Sequence, residues 1–312
     1  MLNYEEFKEK IKAEILTYLP KVYEGSEIKI IQAIKTNDHK LDGLMIRRRK
    51  CNVAPNIYLN AFYADYTDGR PIEDIMMSIA EIRVHHDVDT YVDAEEFLGY
   101  EKIKDHIYMS VINYERNPEI LKDRPYRRFL DLAITYYVNI SECDTLGIVP
   151  DGRLVMNMTN ELMEEFNITE EELYDIAKRN TSRKDNVYLS PLQEELRKRS
   201  SGLVFDDPFG KVASILTNKD ALRGAALIAC DNVLKDLADK YDTDIYVFPL
   251  SVDEVIVVPE YEVSLSNVID MDPDDFGPFS DGDEYYLSNR VYYYARNIGK
   301  ITIVECSKEV KV

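Results

Sequence analysis

A chain of 312 residues, 45% apolar and 31% charged, can bury a sizeable core and has the composition of a folded protein. Its formal charge of −20 repels phosphate backbones and anionic lipid alike, which argues against direct nucleic-acid or membrane-surface binding. The same charge favours a basic protein partner, or simply solubility.

Cys51, Cys143, Cys230 and Cys306 are widely separated, without the close ligand pairs of a zinc site or the density of a disulfide scaffold, so they read as reduced thiols. The 23 Tyr against no Trp read mainly as half-buried structural rings, with an interaction face as the alternative. The opening segment MLNYEEFKEKIKAEILTYLP is charged and amphipathic rather than signal-like, and no run approaches the ~20 apolar residues of a membrane helix. A cytoplasmic protein is expected.

Tyr4, Phe7, Ile11, Ile15 and Leu19 recur at helical spacing, which predicts a helix over 4–19, capped by Asn3 with Glu6 and stopped by Pro20. Two β-type runs follow, 27–35 and 40–49, joined by the turn residues Asn37-Asp38-His39. Residues 56–66 predict a helix, ended by Asp68-Gly69, and Pro71 opens another through Ile82. Strands are expected at 106–114, 129–139 and 153–158. Helices are expected at 160–166 and 170–180, the second with a Thr169–Glu172 capping box, and a third follows a cap at Ser190, Pro191 and Gln193. Thr159-Asn160 and Thr217-Asn218 both end apolar runs as N-cap chemistry. The rest reads as strand 211–217, a helical or mixed stretch, helix 232–241, strands 244–250 and 254–259, and a hairpin of 290–296 with 300–305 around Asn297-Ile298-Gly299.

This order predicts an α+β fold with mixed or antiparallel sheets and covering helices, in two lobes, 1–145 and 146–312. The boundary is placed in SECDTLGIVPDG, residues 141–152.

Four segments, PNIYLNAFYADYTDGRPIEDI (55–75), TNELMEEFNITEEELYDIAKRNT (159–181), LTNKDALRGAALI (216–228) and DIYVFPLSVDEVIVVP (244–259), together resemble the domain-of-unknown-function 5688 family. The resemblance spans about three-quarters of the chain and implies a bacterial cytosolic protein of anaerobic gut species. It brings no reaction with it. Members of that family often carry Ser-x-His-Glu where this chain has Ser251-Val252-Asp253-Glu254, so a histidine function at that position would be lost here.

Ser251, Asp253 and Glu254 are the sharpest catalytic candidates, because carboxylates at the mouth of a buried strand can have their pKa shifted toward neutrality. They would serve a hydrolase-like enzyme, with or without a divalent metal. The alternative is that Ser251 and Asp253 satisfy the backbone of a turn. Between Tyr241 and Asn289 stand thirteen Asp or Glu and no Lys or Arg. Asp270, Asp272, Asp274, Asp275, Asp281, Asp283 and Glu284 form the densest part, a candidate docking surface for a basic partner or a mimic of nucleic-acid charge. As a calcium loop it fails, with Asp275 in place of the turning Gly, Pro273 inside, and Asp281 at the final ligand position.

His85-His86-Asp87-Val88-Asp89 gathers metal-ligand types, but adjacent side chains diverge and the site follows a helix, where His suits the C-terminal dipole. His39 and His106 have no evident partner in sequence. Arg47, Arg48 and Arg49 with Lys50 are a candidate anion site, and Lys122, Arg124, Arg127 and Arg128 a second basic group. No Gly-rich phosphate loop, Gly-x-Ser-x-Gly or His-Glu-x-x-His occurs, and neither a cofactor nor a metal is expected. The leading expectation is a non-catalytic interaction or regulatory protein with an acidic C-terminal face.

Overall fold

The apolar spacing of the first helix is realised in α1 (Tyr4–Glu14), where Asn3 and Glu6 complete the expected capping box and Phe7 and Ile11 are buried. In this computed structural model the described residues are 1–51, 54–87, 99–143, 155–199, 209, 212–249, 251–263 and 285–304. By internal contacts the chain divides into two compact units. One comprises Met1–Lys35, His39–Lys102 and Ile140–Leu154; the other comprises Thr36–Asp38, Ile103–Asn139 and Val155–Val312.

In the first unit, the helix expected to run to residue 19 tightens instead into a 3₁₀ turn at Ile15–Tyr18. The hairpin of β1 (Glu27–Lys35) and β2 (His39–Arg47) is antiparallel from Glu27↔Arg47 to Lys35↔His39. Asn37 and Asp38 take positive φ in its connection, which their short polar side chains tolerate. The segment expected to be wholly helical from 56 begins as β3 (Asn56–Tyr58), paired with β2, before α2 (Leu59–Thr67). After α3 (Ile72–His85), Phe7, Ile11, Leu44, Ile46, Leu59, Ile75 and Ile79 close one apolar core.

A single turn, α4 (Tyr100–Ile103), precedes the second unit's first sheet. It contains β4 (Ile107–Asn113), β5 (Arg127–Phe129), β6 (Leu132–Asn139) and β7 (Val155–Asn157), with α5 (Pro118–Asp123) between the first two. β6 pairs antiparallel with the other three strands. β4 and β6 are buried at every position, which explains their continuous rather than alternating apolar character. Next come α6 (Asn160–Glu165), α7 (Glu170–Thr181), β8 (Val187–Pro191), α8 (Leu192–Arg199), β9 (Ser214–Asn218) and α9 (Asp231–Tyr241). The remaining strands are β10 (Ile245–Phe248), β11 (Val255–Pro259), β12 (Tyr292–Ala295) and β13 (Lys300–Ile303). They complete a six-stranded antiparallel sheet in the order β13-β12-β10-β11-β9-β8.

The fold is thus α+β, with antiparallel pairing in all three sheets of the described residues. The boundary placed near residue 145 falls within 144–154, outside the described residues. Residues 103–139 group with the C-terminal segment, because β7 pairs with Tyr137–Asn139 of β6. Among the described residues no helix is long and apolar enough to cross a membrane.

Candidate functional site

The connection from β10 to β11 carries Ser251, Asp253 and Glu254. A Ser at the start of a tight turn can accept from backbone N–H groups two and three residues on. Ser251 Oγ does so, at 3.2 Å from both Asp253 N and Glu254 N, while Ser251 N donates to the Glu254 carbonyl at 3.3 Å. Asp253 Oδ1 accepts from Arg223 N at 2.6 Å, and its backbone carbonyl accepts from Thr217 Oγ1 at 2.7 Å. Glu254, only 10% exposed, is held by both terminal nitrogens of Arg199, one of them at 2.7 Å from Oε2. The three residues come together as a turn lock: a hydroxyl accepting from backbone, a carboxylate anchoring a neighbouring loop, and a carboxylate neutralised by a guanidinium.

The loop that Asp253 anchors runs from Asn218 to Gly224. Thr217-Asn218 does not cap a helix as its sequence suggests. Instead the Asn218 side chain accepts from Asp220 N and Leu222 N, at 3.2 and 3.0 Å, and donates to the Leu222 carbonyl at 2.6 Å. This closes a tight loop in which Ala221 and Arg223 both take positive φ, at 48° and 55°. Gly224 follows because nothing larger fits: a Cβ there would lie 2.2 Å from Thr217 Oγ1, 2.5 Å from Asn218 N and 2.7 Å from the Asp253 carbonyl.

The loop delivers the Arg223 side chain to the sheet of β6 and β7. Its Nη1 donates to Asn157 Oδ1 at 2.8 Å, and its guanidinium carbon sits 4.7 Å from the Tyr137 ring centroid. Burial holds the Arg223 pKa below the ordinary value, against the opposing pull of Tyr137 and Asp253. Arg124 lies within electrostatic reach of it. Burial first, and repulsion from Arg223 second, bring Arg124 down to about 10, with Asp123 opposing. Sequence reasoning placed Arg124 in a basic group and passed over Arg223. The available signal was Arg223-Gly224 shortly after a Thr-Asn strand end, the pattern of a loop that must pack closely.

Arg47, Arg48, Arg49, Lys122, Arg127 and Arg128 are engaged within the fold. Arg47 pairs with Glu27, Arg48 with Asp87 at 2.6 Å, and Arg49 Nε donates to the Gly25 carbonyl at 3.2 Å. Arg127 bridges Glu170 and Glu171 at 2.7 and 2.6 Å, Arg128 lies 3.5 Å over the Tyr114 ring, and Lys122 pairs with Glu119 at 2.6 Å. His85 ends α3, and its ring meets that of His86 edge-on at 4.8 Å, while Asp87 goes to Arg48 and Arg83. His39 opens β2 and His106 ends a 3₁₀ turn. Among the described residues no three His, Cys, Asp or Glu side chains gather as a metal-binding group.

Ser190 does not cap a helix either. It is buried in β8 and donates to Glu195 at 2.8 Å. The acidic candidates Asp270, Asp272, Asp274, Asp275, Asp281, Asp283 and Glu284, together with Asp89 and Cys306, lie outside the described residues. The chain downstream of them is stitched into the second unit. Val252 N donates to the Tyr285 carbonyl at 3.0 Å, Asn113 Nδ2 to the Leu287 carbonyl at 3.0 Å, and Ser288 Oγ to Asp131 at 2.6 Å.

No curated protein and no solved structure matches the chain. Two of the four segments that carried the resemblance, 216–228 and 244–259, build the turn lock and its partner loop, and all four fall inside a match that takes in nearly all of the sequence. Residues 4–296 fit the profile of the family of unknown function DUF5688, and the chain belongs to that family.

Proposed function

We propose that this is a non-catalytic interaction or regulatory protein of the bacterial cytoplasm that engages a basic protein through its acidic C-terminal segment. The observation that carries this reading is the run of residues 264–284, which holds seven carboxylates and no Lys or Arg. Support comes from the cations elsewhere. Arg47, Arg48, Arg70, Arg83, Arg127, Arg199 and Arg296 already have carboxylate partners among the described residues. That leaves fewer cations within the chain for the tract and favours a partner on another molecule. The structural occupation of Ser251, Asp253 and Glu254 in a turn lock weighs against acid–base chemistry there.

The test is a binding measurement on a captured basic partner, repeated with the purified pair. Affinity is expected to fall about tenfold or more as salt rises from about 0.05 to 0.3 M, because exposed charge pairs are screened over that range. Joint replacement of Asp270, Asp272, Asp274 and Asp275 by Asn should give a comparable loss. A partner indifferent to both changes rejects the reading.

A further inference from the structure

A strand at the rim of a sheet presents a row of unpaired backbone donors and acceptors, and folded proteins blunt such rims by keeping them short, by covering them or with proline. Most rims of this protein are blunted in these ways. β3, β5 and β7 span three residues each and β13 four, β8 ends in Pro191, and β4 is buried at every position. β1 is different. It runs for nine residues without Gly or Pro, pairs residue for residue with β2, and has no second strand beside it among the described residues. Beyond β2, no backbone hydrogen bond ties Ile28–Lys35 to another segment among those residues.

The side chains of β1 show what fits against it. Ile28 and Ile30 pack on the first apolar core, whereas Ile31 and Ile34 are 44% and 39% exposed. Outward backbone groups belong to alternate residues, so an antiparallel partner of the same sequence can join only odd with odd and even with even positions. With a two-fold axis at Ile31, Glu27 stands opposite Lys35, Ile28 opposite Ile34, and Ile31 opposite its own copy. Both exposed isoleucines then meet an isoleucine, and the strand ends carry opposite charges. Sliding the partner by two residues one way sets Lys29 against Lys35. Sliding it the other way sets Lys29 against Ile31 and leaves Glu27 facing Ala33. Only the centred register uses the whole strand and opposes no like charges.

We propose that β1 is a dimerisation strand: two copies of the chain pair antiparallel through it about a two-fold axis at Ile31, joining their β1-β2-β3 sheets into one. The pairing satisfies the outward backbone groups of both strands and covers both exposed isoleucines. Glu27 already pairs with Lys29 and Arg47 of its own copy, so its contact with the second copy's Lys35 sets register more than affinity. The charge of −20 on each copy opposes association only at short range, since it is screened beyond about 8 Å at physiological ionic strength. This interface is independent of the acidic segment and goes beyond the interaction reading, because a dimer presents two such segments to a basic partner.

The test is sedimentation equilibrium of the full chain over a micromolar concentration series, with amide hydrogen exchange as a second readout. The wild type should show a monomer–dimer equilibrium, and protection of the β1 amides should rise with protein concentration. Ile31→Lys sets two like charges against each other on the axis and should weaken the dimer about tenfold or more. Its unfolding midpoint in dilute solution should equal that of wild type, because the position is exposed. Glu27→Lys and Lys35→Glu should each weaken the dimer, and the two combined in one chain should associate more tightly than either alone, since the opposed charges are exchanged rather than lost. A wild type that stays monomeric throughout, a dimer that Ile31→Lys leaves unchanged, or a combined variant no tighter than the single ones would each overturn the assignment.

Discussion

At Gly224 a single hydrogen atom decides whether two segments can meet. The atoms that a methyl group would strike include the Asn218 amide nitrogen and the Asp253 carbonyl, both backbone, so a side-chain rotation cannot relieve the clash. Gly224→Ala is therefore expected to destabilise the protein by about 3 kcal/mol, at the upper end for an overpacked buried site. It should lower the midpoint of denaturant unfolding without changing its slope, and a midpoint within error of wild type would mean that the loop does not pack as described. Arg83 is a second case in which one residue does several jobs. Fully buried, it donates to the Ile46 carbonyl at 2.9 Å, to Tyr23 Oη at 3.2 Å and to Asp87 at 2.8 Å, with its guanidinium 4.8 Å from the Tyr23 ring centroid. Its Nη2 has no hydrogen-bond partner among the described residues, and the charge is tolerated because Nε and Nη1 meet fixed acceptors and Asp87 pairs with it.

At the level of elements, helix starts show how local chemistry is written into the chain. Thr169 Oγ1 accepts from Glu172 N at 3.3 Å, and Glu172 accepts from Thr169 N at 2.8 Å. Thr169→Ala is expected to lose about 1 kcal/mol, and a denaturation series on that variant measures it. Glu172 is held below the ordinary carboxylate pKa, first by the Thr169 backbone hydrogen bond and then by its hydroxyl. Its contribution is present above the unfolded value and fades as pH falls through the folded one, so the gap between variant and wild type should narrow in acid by the share of the hydroxyl–carboxylate bond, while the cap bond from Glu172 N persists. Both capping boxes, the first hairpin and most strands were legible because each depends on residues within a few positions. β8 was not: Pro191 breaks its pattern, and the strand exists through pairing with β9 at the sheet edge, where a missing N–H is tolerated. The turn at Ser251 was readable as a turn. The role of Arg223 was not, since Asn157 and Tyr137 reach it from strands far back in the sequence.

For the whole molecule, the abundance of tyrosine sets the alkaline limit. Burial pushes Tyr4 and Tyr23 up to about 12. Tyr136 and Tyr292 are raised further, by burial first, with a Glu170 hydrogen bond next for Tyr136 and the Asp131 charge next for Tyr292. In the unfolded chain these rings ionise near 10. Their stabilising contribution is thus complete below about pH 10 and is lost as pH rises toward the folded values. Stability should fall steeply above that point, with the phenolate absorbance of the buried rings appearing together with loss of the helical signal. Ionisation of those rings well before the helices melt would contradict the burial.

The acidic segment has its own architectural consequence. It leaves the sheet after β11, where Glu260 N donates to the Asp244 carbonyl at 3.0 Å and Val263 joins the core. It returns at Tyr285, ahead of β12, and β11 and β12 flank the same strand, β10. The described chain on either side of residues 264–284 is thus held to strands that flank β10. Doubling such a loop alters its closure entropy by only about 0.6 kcal/mol. A change of length or charge confined to residues 264–284 is therefore expected to leave the pairing of β10 with β11 and β12 in place.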